Sequence, residues 1–81
     1  MPRRPTATAA RGRLADYERR VEQDARAYAD AHARLKDPGR KGYDDAKRYA
    51  EDRAVLLKVS RIYLAAERKA VALLETIEEE S

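Results

Sequence analysis

One segment, Asp37-Pro38-Gly39-Arg40-Lys41-Gly42, interrupts an otherwise helix-forming chain of 81 residues. Proline presets φ, glycine accepts positive φ and aspartate bonds to the following backbone, so the segment predicts a tight turn. The flanking sequences are rich in Ala, Arg, Glu, Leu and Lys, which favour helix. We predict helix 1 at about 7–36, the turn at 37–42 and helix 2 at about 43–79, with Thr6 or Thr8 as the first cap. Gly12 disfavours helix, which suggests a regular start only after it.

The composition excludes a thick globular core. Hydrophobic residues make up 43% of the chain, but sixteen of them are alanine, and charged residues make up 41%. A small chain with so few large apolar side chains leaves most of its surface in water. The expected fold is therefore a thin all-α assembly.

Each helix carries a row of apolar residues at alternating spacings of three and four, which is the pattern of a coiled-coil seam. The row in helix 1 is Leu14, Tyr17, Val21, Asp24, Tyr28, Ala31 and Leu35, and the row in helix 2 is Leu56, Val59, Tyr63, Ala66, Ala70, Leu73 and Ile77. When the chain folds back at the turn, facing residues have numbers that sum to about 80. Tyr17 then faces Tyr63 and Val21 faces Val59, while Asp24 faces Leu56 and is expected either to reach a nearby cation such as Arg20 or to lie at the edge of the seam. The sequence predicts an antiparallel two-helix hairpin as one domain, 7–81, after a basic arm, 1–6.

Helix 2 has a second apolar row, formed by Leu57, Leu64, Val71 and Leu74. In the register above, helix 1 covers the first row and leaves this one in water. Exposed apolar rows usually mark an interface. We therefore expect this row to bind a second copy, completing a four-helix bundle as a homodimer, or to bind another helical protein.

The sequence gives little support for catalysis or for a bound cofactor. It contains no cysteine, and its one histidine, His32, has no evident relay partners. No phosphate-binding loop, dinucleotide motif or metal-ligand pattern occurs. We predict no catalytic, cofactor or metal residues. No apolar stretch is long enough to span a membrane and no secretory signal is evident, so the default expectation is a cytoplasmic protein without membrane contact.

Two basic regions are candidate contact sites. Arg3, Arg4, Arg11 and Arg13 form an arginine-rich N-terminal region that could bind nucleic-acid phosphates. The net charge of the whole chain is only +3, which is modest for a nucleic-acid-binding domain. At the other end of the hairpin, a candidate turn-end contact consists of Arg40, Lys41, Tyr43 and Tyr49.

These features favour a non-enzymatic module for protein–protein interaction, acting as an adaptor, regulator or inhibitor through an apolar seam on helix 2. The alternative is a nucleic-acid-associated accessory factor that uses the N-terminal arginines. A second alternative is a small structural subunit of a larger assembly.

Overall fold

The computed structural model describes residues 4–80 and contains two long helices joined by a short turn. Helix α1 spans Ala7–Ala33, a 3-10 helix spans Arg34–Lys36, and helix α2 spans Tyr43–Glu79. The two α-helices pack against each other, and no strand occurs between residues 4 and 80. The predicted all-α hairpin is confirmed. The suggestion that helix begins only after Gly12 is wrong, because α1 passes through Gly12 from a start at Ala7.

The start of α1 is held by contacts from within the helix and from α2. The hydroxyl of Thr6 accepts a hydrogen bond from the Ala9 N–H at 3.2 Å, so Thr6 is the cap. The Ala7 N–H donates to a carboxylate oxygen of Glu78 at 2.9 Å. A carboxylate near the positive end of the α1 dipole is favourable. Glu78, near the end of α2, thus satisfies a free N–H at the start of α1.

The turn uses the chemistry that its sequence predicts. A side-chain oxygen of Asp37 accepts a hydrogen bond from the Gly39 N–H at 3.1 Å, and the Asp37 carbonyl accepts one from the Arg40 N–H at 3.2 Å. Gly42 directly precedes α2 and has a φ of +85°, in the left-handed region that favours glycine. The chain reverses here, and α2 returns antiparallel to α1.

The core is a single thin layer between the two helices. Its buried apolar residues are Ala7, Ala10, Ala31, Ala50, Leu57, Leu64 and Val71. The molecule measures 63 × 24 × 14 Å, and its radius of gyration is 18.3 Å. A compact chain of this length would have a radius of gyration of about 12 Å. The hairpin is therefore an extended slab, in which each helix has one side on the core and the rest in water.

Four contacts between the helices define their register. The rings of Tyr17 and Tyr63 stack with centroids 6.1 Å apart, as the sequence predicts for this pair. Ion pairs of 3.0 Å join Arg13 to Glu67 and Arg11 to Glu75, and the fourth contact is the bond from Ala7 to Glu78. The residue numbers of these pairs sum to between 80 and 86. The antiparallel register expected from the sequence is therefore close to the observed one.

Two glycine substitutions should change stability in opposite directions. Gly42→Ala forces an L side chain into a left-handed conformation, which we expect to lower the free energy of unfolding by about 1 kcal/mol. Gly12→Ala is the matched control, since Gly12 lies inside α1 and an added Cβ would meet no atom within 4 Å. It should raise the free energy by up to about 1 kcal/mol. Urea unfolding followed by circular dichroism measures both, and equal effects would contradict this account of the turn.

Candidate functional site

The row that the sequence marks as an interface lies inside the hairpin. Leu57 is 6% exposed, and Leu64 and Val71 are each 7% exposed, while Leu74 is half-buried. These residues, with Ala50 and Ser60, form the surface of α2 that packs against α1; we call this surface the inner seam. The prediction that helix 1 leaves this row in water is wrong. Leu57, Leu64 and Val71 therefore stabilise the hairpin itself.

The row that was expected to face helix 1 instead lies largely exposed on another side of α2. We call it the outer stripe: Leu56, Val59, Tyr63, Ala66, Ala70, Leu73 and Ile77. Tyr63 is 56% exposed and Leu73 is 61% exposed, and among the seven only Ala70 is half-buried. Helix 2 thus has two apolar rows, as the sequence predicts, but their roles are exchanged. The outer stripe is the main candidate for a functional surface.

Polar residues explain why the rows exchange roles. The helix 1 row contains Asp24, which lines a cavity with Arg20 of α1 and with residues of α2 that include Arg53, Ser60 and three members of the outer stripe, Leu56, Val59 and Tyr63. Nearby, Arg13 is paired with Glu67, whose side chain is only 15% exposed. Rotating α2 to pack the whole outer stripe against α1 would separate Arg13 from Glu67. Burying a charge without a partner is costly, which favours the arrangement in which the row flanked by the paired Glu67 faces inward.

The inner-seam serine also has a hydrogen-bond partner. The Ser60 hydroxyl, buried between the helices, donates to the Leu57 carbonyl of its own helix at 3.0 Å. Within residues 4–80, every buried polar side-chain atom is hydrogen-bonded. The inner seam therefore needs nothing further to satisfy its polar groups, and the large exposed apolar side chains of α2 are those of the outer stripe together with Tyr49, Val55 and Ile62.

The arginines proposed as nucleic-acid contacts do not form one free cluster. Arg11 is paired with Glu75 and Arg13 with Glu67, so both hold the two helices together. Arg4 is exposed beside Pro5, and Arg3 lies outside the described residues. Sequence reasoning missed these interhelical pairs. Opposite charges at positions whose numbers sum to between 80 and 86 are the signal that could have revealed them.

Three of the four turn-end residues come together. Arg40, Lys41 and Tyr43 line a shallow cavity with Arg34 and Asp37. Tyr49 lies elsewhere: the Arg53 guanidinium sits over its ring, 4.9 Å from the centroid. Two acidic residues, Asp44 and Asp45, occupy the first turn of α2 and complement its dipole.

The described residues offer no arrangement typical of metal binding. No group of three or more His, Cys, Asp or Glu side chains between residues 4 and 80 could hold a metal ion. His32 is exposed on α1 and lies against Tyr28, with ring centroids 5.8 Å apart. Neither α1 nor α2 is long and apolar enough to cross a membrane. Comparisons with protein-family models, curated proteins and solved structures found no match to this chain.

The same substitution on the two faces of α2 should separate folding from surface effects. Leu64→Arg places a charge in the inner seam and should lower the free energy of unfolding by about 2–4 kcal/mol. Leu73→Arg, on the outer stripe, should change it by less than about 0.5 kcal/mol. Urea unfolding should be measured at low protein concentration, where association contributes least. A larger loss for Leu73→Arg than for Leu64→Arg would contradict the assignment of the two faces.

Proposed function

We propose that this chain is a non-enzymatic helical module for protein–protein interaction, an adaptor, regulator or inhibitor, that binds through the outer stripe of α2. The observation that carries the proposal is the exposure of large apolar side chains along one face, including Leu56, Val59, Tyr63 and Leu73. A contiguous apolar patch of this kind on an otherwise polar protein surface marks an interaction site. The inner seam is already used by α1, which leaves α2 free to present its other row.

The shape of the slab supports the same role. A helix whose apolar row repeats every three or four residues fits into a groove or against another helix, with those residues as anchors. The outer stripe follows this spacing on a 37-residue helix, with Ala66 and Ala70 between Tyr63 and Leu73. Helix α1 contacts the stripe at Tyr63, whose ring stacks on Tyr17, and leaves the anchors largely exposed and already arranged before a partner arrives. Because the anchors are already arranged, the entropic cost of binding a partner is lower.

The other two roles expected from the sequence have less support or use the same surface. Two of the four arginines proposed to contact nucleic acid, Arg11 and Arg13, are instead engaged in ion pairs with α2. A structural subunit of a larger assembly would also bind through the outer stripe, and would differ in the permanence of its contact. The stripe is therefore the surface to test first.

A photo-crosslinking amino acid introduced at the outer stripe tests the proposal in the native host. Placed at Leu73, it should give covalent adducts with whatever protein lies on the stripe, including a second copy of this chain. The matched control is the same amino acid at Ala29, which is exposed on α1. We expect adducts from position 73 and few or none from position 29, measured by immunoblot and mass spectrometry.

Two further outcomes are informative. A Val59→Arg substitution in the position-73 probe should abolish the adducts, because a charge in the middle of an apolar contact is expensive to bury. Circular dichroism of the purified variant should show that its helix content is unchanged. Equal labelling at positions 29 and 73, or none at either, would overturn the proposal.

A further inference from the structure

We infer that the partner on the outer stripe is a second copy of this chain, with its α2 antiparallel to the first α2 across a two-fold axis. This inference rests on the proposed function and names the occupant of the stripe. It follows from the accessible area of the chain, from the distribution of charge along α2 and from the sizes of the stripe residues.

The accessible area leaves room for a stable dimer. The chain exposes 6743 Å², whereas a compact protein of its mass, 9.2 kDa, would expose about 4900 Å². Stable protein interfaces bury about 800 Å² on each partner. The excess surface is roughly twice that amount, and its largest apolar side chains lie on one face of α2. A second copy could therefore cover the stripe without disturbing the inner seam.

The charge along α2 favours an antiparallel arrangement. In an antiparallel pair centred between residues 64 and 65, residues 49–61 of one copy lie beside residues 68–80 of the other; the first segment carries three Lys or Arg and two Asp or Glu, and the second carries two Lys or Arg and four Glu. Residues 62–66, between them, carry no charge. In a parallel pair, like-charged segments would lie side by side and repel each other. In an antiparallel pair, the basic segment of each copy lies beside the acidic segment of the other, which selects orientation.

The neutral centre also fits the sizes of the stripe residues. A two-fold axis between Leu64 and Ala65 gives facing residues whose numbers sum to 129. Tyr63 then faces Ala66 of the second copy, Val59 faces Ala70, and Leu56 faces Leu73. Large side chains meet small ones at the centre, so the helices can approach closely.

The ends of this seam have matching polar groups. Tyr49 faces Glu80 of the second copy in this register, and the Arg53 guanidinium is held over the Tyr49 ring. Glu80 is exposed at the end of α2. The second copy therefore brings a carboxylate to a cation that is already positioned at that end. The apolar seam ends at Asp52, which faces Ile77.

The two rows of α2 also determine how four helices would be arranged. On a helix with 3.6 residues per turn, the inner seam and the outer stripe lie about 120° apart. The second copy therefore approaches α2 from a direction well separated from α1. The two α2 helices lie in the middle of the dimer and each α1 lies on the outside. This is an open four-helix layer rather than a closed square bundle.

Sedimentation equilibrium of the purified chain tests whether a second copy of the chain occupies the outer stripe. We expect a mass twice that of the 9.2 kDa chain, and a single chain mass for Leu73→Arg with its helix content retained. A wild-type mass of one chain at all concentrations would overturn the inference. If the wild-type chain were a monomer but position 73 still gave adducts with another protein in cells, the proposed function would stand without the dimer. If position 73 gave no adducts, the proposed function and the dimer would both fail.

Cysteine crosslinking tests the orientation, since the chain contains no cysteine of its own. Val59→Cys and Ala70→Cys chains, carrying different affinity tags, should form a disulfide with each other when mixed and oxidised. Neither should crosslink to its own kind, because identical positions lie about 16 Å apart along the antiparallel axis, beyond disulfide reach. Crosslinking of Val59→Cys to itself would indicate a parallel pair, and a dimer with no crosslink in the mixture would indicate another register. Either result would overturn the inference.

Discussion

Charge pairing between the end of α2 and the start of α1 determines which face of α2 is used to build the hairpin. Glu67, Glu75 and Glu78 each contact α1, through Arg13, Arg11 and the Ala7 N–H. Exposed ion pairs add little to stability, and two of these contacts are exposed. Their effect is on specificity: two apolar rows of similar composition compete for α1, and the row flanked by the matching carboxylates wins. The unused row is then left on the surface.

The thin core makes this choice important. A single layer of alanine, leucine and valine side chains between two helices provides modest stabilisation, and no large side chain among the described residues is almost completely buried. Small domains generally need additional support, such as oligomerisation. Covering the outer stripe would supply this support, since it would bury more apolar surface without changing the hairpin. Folding stability and partner binding are then linked by mass action.

The sequence predicts the turn, the bounds of α2 and the stacking of Tyr17 on Tyr63, because each depends on local chemistry or simple spacing. The choice between the rows could not be made from periodicity, since both repeat every three or four residues. The carboxylates beside the inner seam carried the missing information: Glu67 and Glu75 pair with cations on α1, Arg13 and Arg11. The bond from Ala7 to Glu78 was harder to foresee, because it depends on the axial offset of two long helices.

The positions of the two rows on α2 also bear on the order in which parts of the assembly come apart. In the proposed antiparallel dimer, α2 would be packed on two sides, whereas α1 is packed on one side and contributes Ala7, Ala10 and Ala31 to the buried layer. Local opening starts where the fewest apolar contacts must be broken. Helix α1 can therefore detach while the α2 pair persists. Amide hydrogens near the middle of α2 would then exchange most slowly, and those of α1 would exchange as a separate, less protected unit.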